Sequence, residues 1–150
     1  MKSDNSGSAA AGKALNAPVT LATAARSDKR LTLSLEPARF GSAVVLHCRG
    51  LAILRSDARV LSSLIAQVLP SARRMVVNLA GVVALDSDAL GELVLTHMWA
   101  EAAGYALKFA SPSDAVRRLL EATNLVSVFD VYSSVPEAMT AMHQEEVQSA

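Results

Sequence analysis

Asp86-Ser87 stands between an apolar run and a strongly apolar helical pattern, in the stretch MVVNLAGVVALDSDALG from Met75 to Gly91. A helix N-terminus carries unsatisfied backbone N–H groups and the positive end of the macrodipole, so a phosphate placed there is stabilised. A serine hydroxyl in that position can serve as a reversible charge switch, with the charge added and removed by another protein. The plainer reading is a helix cap, in which Asp86 or Ser87 satisfies the free N–H groups. The stretch Leu79 to Leu85, read as a small-residue loop after a central strand, would set this helix start at the C-terminal edge of a sheet. Open α/β sheets place their binding sites there.

The helix that follows carries further chemistry. At 100° per residue, Leu90, Leu93, Val94, His97 and Ala100 share one side, which should face the sheet. Asp88, Glu92, Leu95, Trp99 and Ala102 fall on the other. A leucine and the chain's one tryptophan among acids on an outward face mark a contact patch for a protein partner. The competing reading is that another element covers Trp99.

Catalysis and metal chemistry find less support. A hydrolase built on Ser87 and His97 fails on distance, because ten residues along one helix span roughly 15 Å. His97 therefore reads as a core or boundary histidine. His47, His97 and His143 lie on different elements without ligand spacing, so neither a metal nor a cofactor is expected. Neither the phosphate-loop nor the dinucleotide glycine pattern occurs. Cys48 lies in an apolar run and reads as a buried strand thiol. Arg117-Arg118 reads as a solvated helix face, with a partner contact as its rival.

The elements that must position these residues follow from periodicity. Leu31, Leu33 and Leu35 alternate with Thr32 and Ser34, a half-buried strand. A turn over Pro37 to Ser42 joins it to a second strand, Ala43 to Cys48, as an antiparallel hairpin closed by Gly50. Ser56-Asp57 opens a helix that should stop at Pro70. Met75 to Leu79 shows no alternation, as expected of a central strand covered on both faces. The helix from Ser87 should end at Ala103 with Gly104 beyond it. A strand from Tyr105 to Ala110, a helix from Ala115 to Thr123, an edge strand within Val126 to Tyr132 and a last helix ending near His143 complete the order β-β-α-β-α-β-α-β-α. That order implies an α/β fold with a mixed sheet and helices packed on it.

Residues 1–28, rich in Ala, Ser, Gly and Lys, show no sustained period and read as a flexible tail before a single domain over 29–150. A docked helix over Leu15 to Ala25 is weakened by Pro18. With 51% hydrophobic and 19% charged residues, the chain is globular. Its 14 basic and 14 acidic residues give no electrostatic case for nucleic acid or an anionic membrane. No apolar stretch is long enough for a membrane span. One cysteine and no signal-peptide pattern point to the cytoplasm.

The segment NLAGVVALDSDALGELV, followed by AGYALKFASPSDAVRRLLEATNLVSVFDVYSSVPEAM, closely resembles the STAS domain of bacterial anti-sigma-factor antagonists. The shared features are Asp-Ser at a helix start after a strand, then a helix with Arg-x-Leu, a short strand and a closing helix, over about Leu31 to Met142. The resemblance implies a STAS-like mixed sheet and a non-enzymatic regulator that binds a protein partner. It implies phosphorylation of Ser87 by an anti-sigma factor that is a serine kinase, and reversal by a phosphatase. The chain departs from the family at Asp88, where Ser or Gly is usual. It departs again at Gly50-Leu51-Ala52-Ile53, where many antagonists carry an acid. STAS domains also serve as scaffolds and as subunits of transport or signalling complexes without phosphorylation, and that reading remains open.

Overall fold

The alternation of leucines with Thr32, Ser34 and Glu36 sorts the first core strand into two faces, and the rest of the sheet follows the same rule. The computed structural model describes residues 19–23, 31–37, 43–53 and 55–149. Among these, the elements run β1 (Val19–Thr23), β2 (Thr32–Pro37), β3 (Val44–Ile53), α1 (Arg55–Ala72), β4 (Arg74–Leu85), α2 (Ser87–Ala103), β5 (Ala106–Ala110), α3 (Asp114–Ala122), β6 (Val131–Tyr132) and α4 (Val135–Ser149). The six strands form one sheet in the order β1-β2-β3-β4-β5-β6. The first three are antiparallel neighbours, and β3 to β6 run parallel.

Spatial order equals chain order, and this decides where the helices go. Parallel crossovers are right-handed. When every step moves the same way across the sheet, each crossover helix lands on the same face. Accordingly α1, α2 and α3 share one core with Leu33, Leu46, Cys48, Met75, Val77, Leu107 and Phe109. Among the described helices, α4 alone packs on the opposite face, where Ala138 and Met142 meet Ala43, Val76 and Ala110. Met75, Val76 and Val77 are all buried because β4 is covered on both sides, as its unbroken apolar run implied.

The α/β class and the mixed sheet stand, but several boundaries differ from expectation. Val19–Thr23 lies inside the segment read as a tail and pairs with β2, from Val19 opposite Leu35 to Thr23 opposite Thr32. The sheet therefore has an edge strand that the expected order lacked. The rest of residues 1–28 lies outside the described residues, as does most of the expected turn over Pro37 to Ser42.

The stretch Leu79 to Leu85, expected as a loop, is strand. β4 continues to Leu85 beside a lengthened β3, with Arg49 opposite Gly81 and Ile53 opposite Leu85. An irregularity lies between His47 and Arg49 on β3, where β4 spends an extra residue, a β-bulge. The Asn78 side chain steadies it by accepting the Ala80 N–H at 3.0 Å. Gly81 permits the close strand approach, since a Cβ there would lie 2.8 Å from the Cys48 carbonyl oxygen. Small residues that read as a loop are thus what a bulged strand needs.

Pro70 lies inside α1 rather than ending it. In the last turn a proline forfeits one backbone bond, and the chain leaves the helix two residues later through Arg73 at φ 72°. β6 is reduced to Val131–Tyr132, and α4 runs on to Ser149, past His143.

Candidate functional site

Ser87 opens α2 immediately beyond the end of β4. Asp86, not Ser87, is the cap: its backbone is extended (φ −85°, ψ 165°) and its Oδ1 accepts the Ala89 N–H at 2.7 Å. The Asp86 N–H is anchored to the Ile53 carbonyl at 3.2 Å, and the Asp86 carbonyl accepts the Leu90 N–H at 3.0 Å. The cap is thereby tied to the end of β3 as well as to its own helix. Ser87 and Asp88 are exposed, and Asp86 is half-buried. The Ser87 hydroxyl stands at the first helical position with the capping role already taken. A carboxylate on each side in sequence and the helix dipole behind it complete its surroundings.

The inward side of α2 follows the expected register. Ala89, Leu90, Leu93, Thr96, His97 and Ala100 are buried. Outward, Leu95 is 63% and Trp99 38% exposed, joined by Met98, which the helical wheel did not single out. Glu92 is half-buried. It lines a shallow groove between α1 and α2 with Arg59, Ser62, Leu95, Thr96 and Trp99. At the groove floor the Thr96 hydroxyl donates to the Glu92 carbonyl (2.9 Å) and shares a hydrogen bond with Ser62 (2.7 Å). Trp99 is neither free nor in the core. Its ring lies 5.6 Å from that of Tyr105, and Arg73 caps the other ring at 5.9 Å. The structure brings Asp86, Ser87 and Asp88 together at the helix start. Glu92, Leu95 and Trp99 lie along the same helix.

His97 is a core residue. It is 2% exposed and edge-on to Phe129 with centroids 5.4 Å apart. Neither ring nitrogen has a hydrogen-bond partner among the described residues. Glu101 approaches Nε2 only to 3.7 Å. Its place inside the core, many residues along α2 from exposed Ser87, leaves no nucleophile–base pair between them. Cys48 is buried, and burial pushes its thiol up to about 12. Arg118 is exposed and Arg117 half-buried on α3.

The family model for the STAS domain matches residues 14–138, most of the chain. The chain belongs to the STAS domain family. Solved STAS-like structures are similar over most of its length. An anti-sigma factor antagonist from Mycobacterium paratuberculosis shares 25% identity at a TM-score of 0.64, covering 77% of this chain and 96% of that one. The anti-sigma factor antagonist SpoIIAA of Bacillus, in its unphosphorylated form, shares 19% identity at a TM-score of 0.60, covering 75% and 96%. A sulfate transporter family protein from Wolinella succinogenes shares 13% identity at a TM-score of 0.58, covering 67% and 84%. No curated protein matches. None of the helices described is long and apolar enough to cross a membrane.

Two polar clusters escaped the sequence reading. Lys108 is 1% exposed on the α4 side of β5, bonded to Asp130 at 3.1 Å and Glu145 at 2.9 Å. On the same face, His47 Nε2 lies 2.6 Å from Glu36 Oε1, and Asn78 Nδ2 lies 2.9 Å from His47 Nδ1. The alternation in β2 and β3 held the signal for the second cluster, because Glu36 and His47 both fall opposite the leucine face. Asn78 joins them only through the parallel pairing of β3 with β4, which sequence does not show. The fold also brings His143 to this cluster, although it lies far from His47 in the chain.

Proposed function

We propose that this STAS domain is a cytoplasmic regulatory protein of the anti-sigma-factor antagonist type. It binds a protein partner, an anti-sigma factor that is also a serine kinase, and it is switched by phosphorylation of Ser87. A phosphatase returns it to the binding form. The observation that carries this reading is the exposed Ser87 at the first position of α2, with Asp86 holding the cap.

The physics of the switch is local. A phosphate adds about −1.5 to −2 charges beside Asp86 and Asp88. The helix dipole and first-turn N–H groups stabilise that charge, so the fold tolerates it. A partner surface fitted to a neutral hydroxyl does not, and binding is lost through charge repulsion and desolvation. Asp86, Asp88 and Glu92 form the polar part of the contact, and Leu95 and Trp99 its apolar anchor. SpoIIAA, which shares the fold, has been solved both phosphorylated and unphosphorylated, in keeping with such a switch.

The test uses the cognate partner and three forms of the full chain. Ser87→Ala should bind the partner irrespective of kinase and ATP, Ser87→Glu should bind weakly, and the wild type should lose binding as the kinase acts. A second reading, a non-phosphorylated scaffold or transport-complex subunit, draws on Asp88 beside the serine, on the absence of an acid in Gly50 to Ile53, and on the transporter-family neighbour. Native protein carrying no Ser87 phosphate under any growth condition, with partner binding indifferent to Ser87→Glu, would select it.

A further inference from the structure

Among the described residues, α4 is the helix packed on the second face of the sheet, beside the strip over β2 and β3. Between that strip and α4 lies a cleft of about 620 Å³, within the range of about 300–1,000 Å³ typical of small-molecule sites. Its walls are apolar: Val45 from the sheet, and Val135 and Met139 from α4. Its polar groups are Glu36, His47 and Asn78 from the sheet and Thr140 and His143 from α4, and hydrogen bonds orient the first three.

The chain of reasoning starts at a backbone donor. The Ala80 N–H can only donate, so the Asn78 atom it meets at 3.0 Å is the carbonyl oxygen Oδ1. The Asn78 amide nitrogen is therefore the group facing His47 Nδ1 at 2.9 Å, and it donates. Nδ1 is then the accepting nitrogen, and Nε2 the one that carries the ring proton. That proton is donated to Glu36 Oε1 at 2.6 Å. Among the described residues that line the cleft, Glu36 is the one Asp, Glu, Lys or Arg. Among its described residues, a largely apolar cleft thus presents one carboxylate, oriented by the His47 N–H.

We propose that this cleft binds a small organic cation, with an apolar or aromatic body against Val45, Val135 and Met139 and an ammonium group against the Glu36 carboxylate. Charge complementarity selects the cation: an anion would meet Glu36, and a neutral molecule would leave the carboxylate's remaining lone pairs to water. The inference is independent of the phosphoswitch, since Ser87 belongs to the helix layer on the other face.

The experiment is a titration of the ¹⁵N-labelled full chain at pH 7 with three probes of matched shape. These are 2-phenylethylammonium, 2-phenylethanol and 3-phenylpropionate. The cation should shift the amide signals of Val45, His47, Val135 and Met139 saturably. It should bind about tenfold or more tightly than the other two, the scale of one charge-assisted hydrogen bond. Glu36→Gln keeps an acceptor for His47 and should reduce cation binding to the level of the alcohol. Met139→Trp fills the cleft from the half-exposed side of α4 and should abolish binding of all three. The proposal is overturned if the cation shifts none of these signals, if the three probes bind alike, or if Glu36→Gln leaves cation affinity unchanged. Shifts at the same residues that track protein concentration instead of probe would assign the cleft to a second copy of the chain, and would overturn it equally.

Discussion

Lys108 offers a test in which the two halves of one ion pair should behave differently. Its stem is buried in β5, and its ammonium lies 3.1 Å from Asp130, 2.9 Å from Glu145 and 5.4 Å from the centre of the Tyr132 ring. The carboxylates are 52% and 56% exposed. Burial by itself would lower the lysine pKa, but hydrogen bonds and charge from Glu145 and Asp130 outweigh it and hold the group above its ordinary 10.5. Removing the cation leaves two carboxylates that water can solvate. Removing both carboxylates leaves a cation beneath α4 without its partners. Lys108→Met should therefore cost no more than about 1 kcal/mol, as for pairs with exposed partners. The double change Asp130→Asn with Glu145→Gln should cost about 2–4 kcal/mol, toward the range for a buried charge stripped of its partner. Urea unfolding at pH 7 reads both as midpoint shifts at constant slope. Equal losses, or a larger loss from Lys108→Met, would refute the asymmetry. The sign with pH is also set. A raised pKa contributes stability that is full below 10.5 and lost as pH rises past it, so wild type and Lys108→Met should converge in strongly alkaline solution.

Three further outcomes follow from single contacts. Trp99, 38% exposed, divides an area of about 250 Å² between fold and surface. Trp99→Ala should cost about 2–3 kcal/mol of stability and weaken partner binding by about thirtyfold; unfolding and binding measured on one sample separate the two, and unchanged binding would retire the interface. Gly81→Ala would press a Cβ to 2.8 Å from the Cys48 carbonyl oxygen and 3.0 Å from the Arg49 Cα. It should cost about 1–3 kcal/mol, read as a fall in Tm. The Cys48 thiol, pushed up to about 12 by burial, should resist a disulfide reagent at pH 8 in the folded chain and react only as fast as the chain opens.

The core strands and the first helical register were legible because burial imposes periodicity. Leu31 and Leu33 betray a two-faced strand, Met75 to Val77 a strand covered twice, and Leu90, Leu93, His97 and Ala100 a helix face. What escaped was set by pairing. Ala80-Gly81 reads as a loop in isolation, because the same small residues serve a turn and a bulge; only the register with Cys48 and Arg49 distinguishes them. Lys108 in an apolar strand looked unremarkable until Asp130 and Glu145 arrived from elements 22 and 37 residues away.

Asp86-Ser87 was legible for a different reason: a cap is local chemistry, and capping residues act within one turn of their own position. Yet sequence left the cap's identity open between the two, and the answer matters for the switch. A serine engaged as the cap would lose its bond to the helix on phosphorylation, and the modification would act on the fold. With Asp86 accepting the Ala89 N–H, the hydroxyl of Ser87 carries no structural duty toward the helix start. Phosphorylation can then change what a partner meets while the first turn of α2, tied through Asp86 to Ile53, stays where it is. The same logic gives Asp88 a role compatible with the proposed switch: a second-position carboxylate supports the helix by its dipole and raises the local negative charge to which a phosphate on Ser87 would add.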